Sequence, residues 1–280
     1  MRIGVTGATG LLGIGLSRVL LKRHRRFLLT RSDADLTKAN QVMSALRSLR
    51  LDVLIHTAAM ADVDACQRYP EKAFRVNFGG TANLVSAAEK FGFSLVFISS
   101  DAVFDGLKGT PYVESDAPHP LSIYGETKVA AEKDVRTRLQ RHWIFRISLL
   151  FGPGKTNFVD KCLRTIADGK INVAASDQIG SATYTLDAAD KILEVIEAER
   201  YGTYHLSNQG TCGRLELARY AASLTGLDQR KIIGKTVAQM GRVAPRPLYN
   251  EMKMQALEKA GFSLPRKWKD ALAAHLETKG

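Results

Sequence analysis

The segment "RIGVTGATGLLGIGLSRVLLKR", residues 2–23, decides the fold. Its first residues form a short apolar run typical of a buried strand, and residues 11–23 have the apolar spacing of a helix. Gly7, Gly10 and Gly13 lie at the junction. Glycines at such a junction allow a turn with positive φ, close approach of a diphosphate to the backbone, and close packing of helix on strand. We therefore predict a dinucleotide phosphate site where the first helix begins.

The same alternation of strand and helix continues along the chain. Apolar runs predict strands at residues 26–30, 51–59, 94–100, 142–152 and 202–207, and helical spacing occupies residues 38–50, 70–91 and 121–139. The pattern predicts an α/β fold, a Rossmann-type doubly wound parallel sheet with a smaller C-terminal substrate-binding lobe. We expect the NAD(P)-binding domain to span residues 1–148 and the lobe residues 149–280, with some elements of the lobe returning to the main sheet.

The composition is globular, with an excess of positive charge. The 280 residues are 45% apolar and carry a formal net charge of +12. Such a charge favours binding to a negatively charged partner, which could be nucleic acid, a membrane surface or a small anionic substrate. The densest basic run, "KRHRR" at 22–26, follows a helix and has no interleaved aromatic residues for base stacking. We interpret it as a solvated helix end, where cations favour the helix dipole, and expect neither a nucleic-acid nor a membrane partner.

The cysteines and the lengths of the apolar runs indicate where in the cell the protein is expected and whether it binds zinc. Cys66, Cys162 and Cys212 form no CxxC pair, so the sequence predicts neither a disulfide framework nor a zinc site. No apolar run reaches the roughly 18 residues that a membrane span needs. The first predicted strand begins at Arg2, so we expect no signal peptide and a cytoplasmic protein.

The tip of the second strand bears on the choice of cofactor. A carboxylate there would bind the adenosine ribose hydroxyl of NAD, whereas a cation would accommodate the 2′-phosphate of NADP. Arg31 is the first charged residue after the strand, with Asp33 and Asp35 close behind. We therefore predict NADP, with NADPH preferred and NADH possible.

The pentapeptide "YGETK" at 124–128 is the predicted reaction centre. Tyr124 and Lys128 are four residues apart on a helix, so they project from one face. A free tyrosine has a pKa near about 10, and a neighbouring ammonium should lower it. Ser100 ends the fourth predicted strand, before the Gly-, Pro- and Asp-rich loop 101–122, and could hydrogen-bond a reacting carbonyl.

With these motifs the chain resembles the short-chain dehydrogenase/reductase superfamily in its extended form, and more closely the dTDP-4-dehydrorhamnose reductase family. The resemblance runs through "GATGLLG", "AFRVNFGGTANL", "FISSDAVFDGLKGTPYVESDAPHPLSIYGETKVAAE", "DQIGSATYT", "GTYHLSNQG" and "APRP". It implies an NADPH-dependent reductase of a 4-keto nucleotide sugar, as monomer or homodimer.

The resemblance also implies roles for the matching residues. It makes Ser100, Tyr124 and Lys128 the catalytic triad. The cofactor would be bound by Gly7, Thr9, Gly10, Leu11, Leu12, Gly13, Arg31, Asp35, Leu36, Ala58, Ala59, Met60, Tyr124 and Lys128. The nucleotide sugar would be bound by Asp101, Val103, Phe104, Gln178 and Arg246.

Three departures from the family pattern concern the sugar pocket and a metal. Ala102 stands where the family often has tyrosine, and Leu149 where it often has tryptophan, so the identity of the sugar is open. Gly15 lies where some members carry a glutamate for a metal-linked dimer, so we expect no metal.

Other functions stay open from sequence alone. Two are related enzymes, an epimerase and a dehydratase, although a dehydratase would need an Asp-Glu pair where "SSDAVF" has only Asp101. A third is an RNA-binding relative, which only the net charge suggests. The fourth is a non-catalytic NADP-binding regulatory subunit resembling the methionine adenosyltransferase beta subunit.

Overall fold

The computed structural model describes residues 1–21 and 23–278. The strands are β1 Arg2–Thr6, β2 Arg25–Leu29, β3 Val53–His56, β4 Ser94–Ser100, β5 His142–Ile147, β6 Leu150–Phe151, β7 Asn172–Ala175, β8 Ile179–Gly180, β9 Thr183–Tyr184, β10 Gly202–Leu206, β11 Cys212–Gly213 and β12 Ile232–Lys235. The α-helices are α1 Leu11–Leu20, α2 Ala39–Arg47, α3 Val63–Arg68, α4 Pro70–Ala73, α5 Gly80–Phe91, α6 Ile123–Arg138, α7 Phe158–Ala167, α8 Thr185–Glu197, α9 Arg214–Leu224, α10 Gln255–Lys259 and α11 Trp268–Glu277.

Six parallel strands form the main sheet, in the spatial order β10-β5-β4-β3-β1-β2. Successive strand residues point to opposite faces, so Val96 and Ile98 pack on one side of β4 and Leu95 and Phe97 on the other. Both faces are covered, which is why the strands read as continuous apolar runs in the sequence. The predicted α/β fold with a doubly wound parallel sheet is confirmed.

Two helical layers cover the sheet. One core lies under α1, α8 and α10, and includes Leu16, Ile192 and Leu257. The opposite core lies under α2, α5 and α6, and includes Leu46, Leu84 and Val135. The helices α8 and α10 and the edge strand β10 come from the second half of the chain. The second half therefore contributes directly to the packing of the main sheet.

The rest of the second half forms three small two-stranded sheets, β6-β9, β7-β12 and β8-β11, with α7, α9 and α11. Their apolar side chains, among them Phe151, Leu217 and Trp268, form a separate core. This lobe lies beyond the end of β5 because the chain leaves the main sheet after Ile147. The prediction of one strand over residues 142–152 is wrong in this respect, since β6 pairs with β9 and not with β4.

Two further segments differ in detail from the expected pattern. The predicted helix at 70–91 contains a π-helical stretch, Phe74–Gly79, between α4 and α5. In the basic run, Lys22 lies outside the described residues, and its neighbours contact local partners. Arg23 and His24 reach Glu197, at 3.9 and 2.8 Å, and Arg26 donates to the Ser17 hydroxyl at 2.6 Å. None of the described helices is both long and apolar enough to span a membrane.

Candidate active site

A cavity of about 950 Å³ lies at the carboxyl ends of the parallel strands, where doubly wound sheets bind ligands. It runs from the turn after β1, past the tips of β2 and β3, to the end of β4 and the start of α6. The cavity therefore has a cofactor end, around the glycine turn, and a substrate end, around Tyr124. The residues of the substrate end include Ser100, Asp101, Tyr124, Ser148, Leu149 and Arg214.

The turn between β1 and α1 is so tightly packed that Gly7 and Gly13 have no room for a side chain. Gly7 has φ +69°, and a Cβ there would lie 2.7 Å from the Ala58 nitrogen. A Cβ at Gly13 would lie 2.3 Å from the Gly7 carbonyl oxygen, so α1 packs directly on the turn. No side chain caps the start of α1. Gly10, Leu11 and Leu12 line the cavity there, and this cradle of backbone groups fits a cofactor diphosphate.

The tip of β2 forms the outer rim of the cofactor end. Asp33 accepts hydrogen bonds from the Thr30 backbone and hydroxyl, both at 2.7 Å. Asp35 accepts from the Thr37 backbone and hydroxyl at 3.0 and 2.8 Å, and these bonds hold the pKa of Asp35 below its usual range. Arg31 is exposed and lines the cavity, while both nearby carboxylates are engaged within their own loop. A cation at this rim suits the 2′-phosphate of NADP.

The start of α6 brings Tyr124 close to the end of β4. The Ser122 hydroxyl caps the helix by accepting from the Gly125 nitrogen. A Cβ at Gly125 would lie 2.2 Å from the Ala102 carbonyl oxygen, so the helix packs directly on the 3₁₀ turn Asp101–Val103. The close packing places the side chain of Tyr124 beside that of Ser100 in the cavity wall.

Lys128 is buried one helical turn beyond Tyr124. Its ammonium donates to the Ile98 carbonyl oxygen at 2.8 Å and lies 5.8 Å from the centroid of the Tyr124 ring. Burial lowers the pKa of Lys128 to about 8, and the Glu132 carboxylate opposes this shift. The ammonium is therefore the main form at neutral pH.

The prediction that the pKa of Tyr124 is lowered overall is wrong for this structure. Burial raises the pKa of Tyr124 above its ordinary value, the charge of Asp101 adds to the rise, and the nearby Ser100 hydroxyl opposes it. The physical reason is that burial penalises the phenolate, while the Lys128 ammonium donates its hydrogen bond to the Ile98 carbonyl oxygen. Tyr124 is thus held in its protonated form.

Asp101 anchors the substrate end and is itself buried. Its carboxylate accepts from the Ser100 hydroxyl at 2.9 Å, from the Ser148 hydroxyl at 2.6 Å, and from the Asn250 amide. Burial raises the pKa of Asp101, and these three donors oppose the rise. The network ties the end of β4 to the segment after β5 and to the C-terminal region of the chain.

A second buried network supports the helix that carries Tyr124 and Lys128. Glu132 accepts from the Ser99 hydroxyl at 2.6 Å and from two nitrogens of Arg146, at 3.0 and 2.8 Å. Arg146 lies on β5 and Ser99 on β4, so α6 is fixed to both strands. These bonds reduce the freedom of α6 relative to the strand that ends in Ser100.

Most of the predicted site residues line the cavity, and some do not. Gly13 instead packs on the turn, and the Met60 backbone is held by Asn77 at 2.7 Å. Val103 and Phe104 are fully buried in a small apolar cluster, where Phe104 stacks on Tyr112 at 4.1 Å. They shape the loop after β4 from behind, so we do not assign them to the substrate.

The two predicted residues of the C-terminal lobe also lie outside the cavity wall. Gln178 reaches the Pro247 carbonyl oxygen at 3.5 Å. Arg246 pairs with Asp64 at 3.1 Å and donates to the Ala244 carbonyl oxygen at 2.9 Å. Sequence reasoning missed Ser148, Asn250 and Arg214 at the substrate end. No motif marks these three residues, because only the folding of the C-terminal lobe over β4 brings them together.

The fold and the cavity define a class, an NAD(P)-dependent oxidoreductase of the extended short-chain dehydrogenase/reductase type. The RmlD substrate binding domain family matches residues 1–279. The chain belongs to this family, the family of dTDP-4-dehydrorhamnose reductase. It is accordingly an NAD(P)H-dependent reductase, as predicted.

Three relatives illustrate the similarity. The dTDP-4-dehydrorhamnose reductase of Mycolicibacterium smegmatis is 34% identical, over 97% of this chain and 84% of that protein. The spore coat polysaccharide biosynthesis protein SpsK of Bacillus subtilis is 32% identical, over 99% and 97%. The structure of dTDP-4-dehydrorhamnose reductase from Bacillus anthracis in complex with NADP superposes with a TM-score of 0.96 at 31% identity, covering 99% of both chains. The NADP in that structure agrees with the cofactor predicted here.

Gly15 lies at the position where some family members carry a metal-binding glutamate, and for this reason we predict no metal. The described residues contain no group of three or more His, Cys, Asp and Glu side chains that could hold a metal ion.

Proposed function

We propose that this protein reduces the 4-keto group of dTDP-4-dehydrorhamnose with NADPH. The observation that carries the proposal is the arrangement of Ser100, Tyr124 and Lys128 along a cavity whose other end is the glycine turn. The names of the M. smegmatis and B. anthracis relatives support the choice of substrate, and the NADP of the latter supports the cofactor.

When bound, NADPH supplies the hydride for the keto carbon. The keto oxygen then needs one proton, which Tyr124 donates in this proposal. Its raised pKa supports the role, because a proton donor must be protonated at working pH. The ammonium of Lys128, 5.8 Å from the phenol ring, stabilises the phenolate that remains.

Ser100 orients the keto oxygen by hydrogen bonding. Its hydroxyl donates to Asp101, so it must turn toward the keto oxygen when the substrate binds. Lys128 has further donors for the cofactor ribose beyond the one that binds Ile98. Arg31 contacts the 2′-phosphate, and the turn at Gly7, Gly10 and Leu11 contacts the diphosphate.

Gln178 and Arg246 stay our prediction for the nucleotide side of the substrate. Asp64, the partner of Arg246, directly follows Val63, which lines the cavity. A diphosphate near this wall could therefore exchange with Asp64 as the partner of the guanidinium. Arginine suits the purpose because its planar fork can bind two phosphate oxygens.

A second substrate is favoured by a specific observation. Leu149 lines the cavity and Ala102 is in the turn beside Asp101, both in place of aromatic residues that the family often carries. The B. subtilis relative is described by its role in spore coat polysaccharide biosynthesis, without a named substrate. A different 4-keto-6-deoxyhexose linked to a nucleotide is the second candidate.

The test is NADPH oxidation by the purified protein with a panel of 4-keto nucleotide sugars, including dTDP-4-dehydrorhamnose and dTDP-4-keto-6-deoxyglucose. We expect the highest kcat/KM with dTDP-4-dehydrorhamnose. Turnover of another member of the panel alone would replace the substrate and keep the reaction. NADPH binding with no turnover and no nucleotide binding would favour the regulatory subunit.

A further inference from the structure

Arg214, the first residue of α9, brings an additional cation to the substrate end of the cavity. Its side chain lines the same cavity as Tyr124, Asp101 and Leu149, and it is half-buried. Among the residues that the structure describes, none accepts a hydrogen bond from its guanidinium or forms an ion pair with it. An arginine has five N–H donors, so this side chain has a large unused capacity to bind oxygen atoms.

Asp101 is close enough to attract Arg214 but does not saturate it. The Asp101 carboxylate already accepts from Ser100, Ser148 and Asn250. Burial lowers the pKa of Arg214, and the charge of Asp101 opposes that shift. Burying a cation partly from solvent without hydrogen-bond acceptors costs free energy. Charged side chains that are buried and unpaired in this way are common at binding sites.

The surrounding charges leave this region positive. Arg242 and Arg246 lie near enough to repel Arg214 electrostatically. Both face one carboxylate, Asp64, at 3.9 and 3.1 Å. Three arginines therefore share two carboxylates, Asp64 and Asp101, so the local field attracts an anion.

We propose that Arg214 binds an anionic group of the substrate, a phosphate oxygen of the nucleotide diphosphate. The inference rests on the proposed function, because it takes the cavity around Tyr124 to hold the sugar. It adds a specificity-determining residue that belongs to the C-terminal lobe. A phosphate offers two oxygens in the geometry that a guanidinium fork binds.

The experiment measures binding by titration calorimetry and needs no turnover. NADPH-loaded wild-type protein, Arg214→Gln and Arg214→Lys are titrated with dTDP, UDP-glucose and UDP-glucuronate. Arg219→Gln is the control, since Arg219 is on the same helix but exposed, with one bond to the Ile232 carbonyl oxygen. Separate NADPH titrations of each variant show whether it is folded.

We expect Arg214→Gln to lose roughly 10- to 100-fold in affinity for the anionic ligand, as loss of a charge-assisted hydrogen bond implies, and the control to lose nothing. A loss of affinity for dTDP supports binding of the phosphate. A loss for UDP-glucuronate, with dTDP and UDP-glucose unaffected, would assign Arg214 to a sugar carboxylate and overturn the proposal. Arg214→Lys should fall between the wild type and Arg214→Gln, and it decides the matter if the glutamine variant fails to bind NADPH.

Equal affinities of the wild type and both Arg214 variants for all three ligands would overturn this inference alone. A wild type that binds NADPH but none of the three nucleotides would instead overturn the proposed function. The two failures are therefore distinguishable.

Discussion

The two ends of the cavity are built in different ways. The phosphate cradle at the cofactor end is formed by one short segment, in which Gly7 and Gly13 fix the path of the backbone. The substrate end joins Asp101, Ser148, Arg214 and Asn250, which are spread over 150 residues of the chain. A local segment of this kind can be recognised from sequence. An end assembled from distant segments can change its ligand through single substitutions, as Ala102 and Leu149 indicate.

Tyr124→Phe is expected to have the largest effect, because the residue lies where the two ends meet. The variant keeps the ring and loses the proton donor, so turnover should fall by roughly 10²–10⁴-fold while NADPH and dTDP still bind. Steady-state NADPH oxidation with parallel titrations measures both. Tyr69→Phe is the control, since Tyr69 is exposed and outside the cavity. Near-wild-type turnover of Tyr124→Phe would remove the residue from the reaction.

Gly13→Ala should damage the cofactor end and spare the substrate end. The new methyl group would meet the Gly7 carbonyl oxygen at 2.3 Å, so the turn has to move. Overpacking of this kind costs about 1–3 kcal/mol, which corresponds to roughly 5- to 150-fold weaker NADPH binding.

Fluorescence titration with NADPH and calorimetry with dTDP would measure the two ends separately. Gly79→Ala is the matched control, because a Cβ there meets its nearest atom, the Phe74 carbonyl oxygen, only at 3.8 Å. Equal losses of NADPH and dTDP affinity in Gly13→Ala would show that the two ends are not independent.

Arg31→Ala should change the choice of cofactor without changing the chemistry. NADPH carries the 2′-phosphate and NADH does not, so the preference for NADPH should decrease about tenfold or more. Comparing kcat/KM for the two cofactors checks this, with Arg230→Ala as an exposed control far along the chain. The same loss for NADH as for NADPH would mean that Arg31 does not contact the phosphate.

The smallest expected effect is the pH dependence of cofactor affinity. The pKa of Lys128 is lowered from 10.5 to about 8, so the ammonium is present below that pH and is lost above it. If the ammonium binds NADPH, affinity should change little between about pH 7 and 7.5, where the 2′-phosphate is already ionised, and weaken by up to about tenfold at pH 9. Lys128→Met should bind more weakly and lack this decline. A wild-type affinity that stays constant to pH 9 would contradict the assignment.

Sequence reasoning succeeded where the determinants are local. The alternation of strands and helices, the turn at Gly7 and the helical spacing of Tyr124 and Lys128 all follow from short-range patterns. It failed where position depends on tertiary packing. Val103 and Phe104 follow β4 closely, but their side chains pack in an apolar core with Tyr112. The sequence does not show which side of the turn after β4 faces the cavity.

The electrostatics of the reaction centre were also beyond sequence reasoning. Spacing places Lys128 beside Tyr124, but it does not reveal that the ammonium donates to the Ile98 carbonyl oxygen or that Tyr124 is buried with the charge of Asp101 close by. The sequence also does not predict that Arg214 and Asn250 belong to the site. Each lies more than a hundred residues from Asp101 in sequence, and only the folded lobe brings them beside it.

The central claim is that this cavity transfers a hydride to the keto carbon of a nucleotide sugar. The most direct measurement uses NADPH labelled with deuterium at the transferred position, dTDP-4-dehydrorhamnose, and mass and NMR analysis of the product. We predict one deuterium at C4 of the sugar for each NADPH consumed, and at least roughly 10²-fold less labelled product with Tyr124→Phe over the same time. Solvent deuterium at C3 or C5 without net consumption of NADPH would identify an epimerase and contradict the account, and so would an unchanged sugar in the presence of bound NADPH.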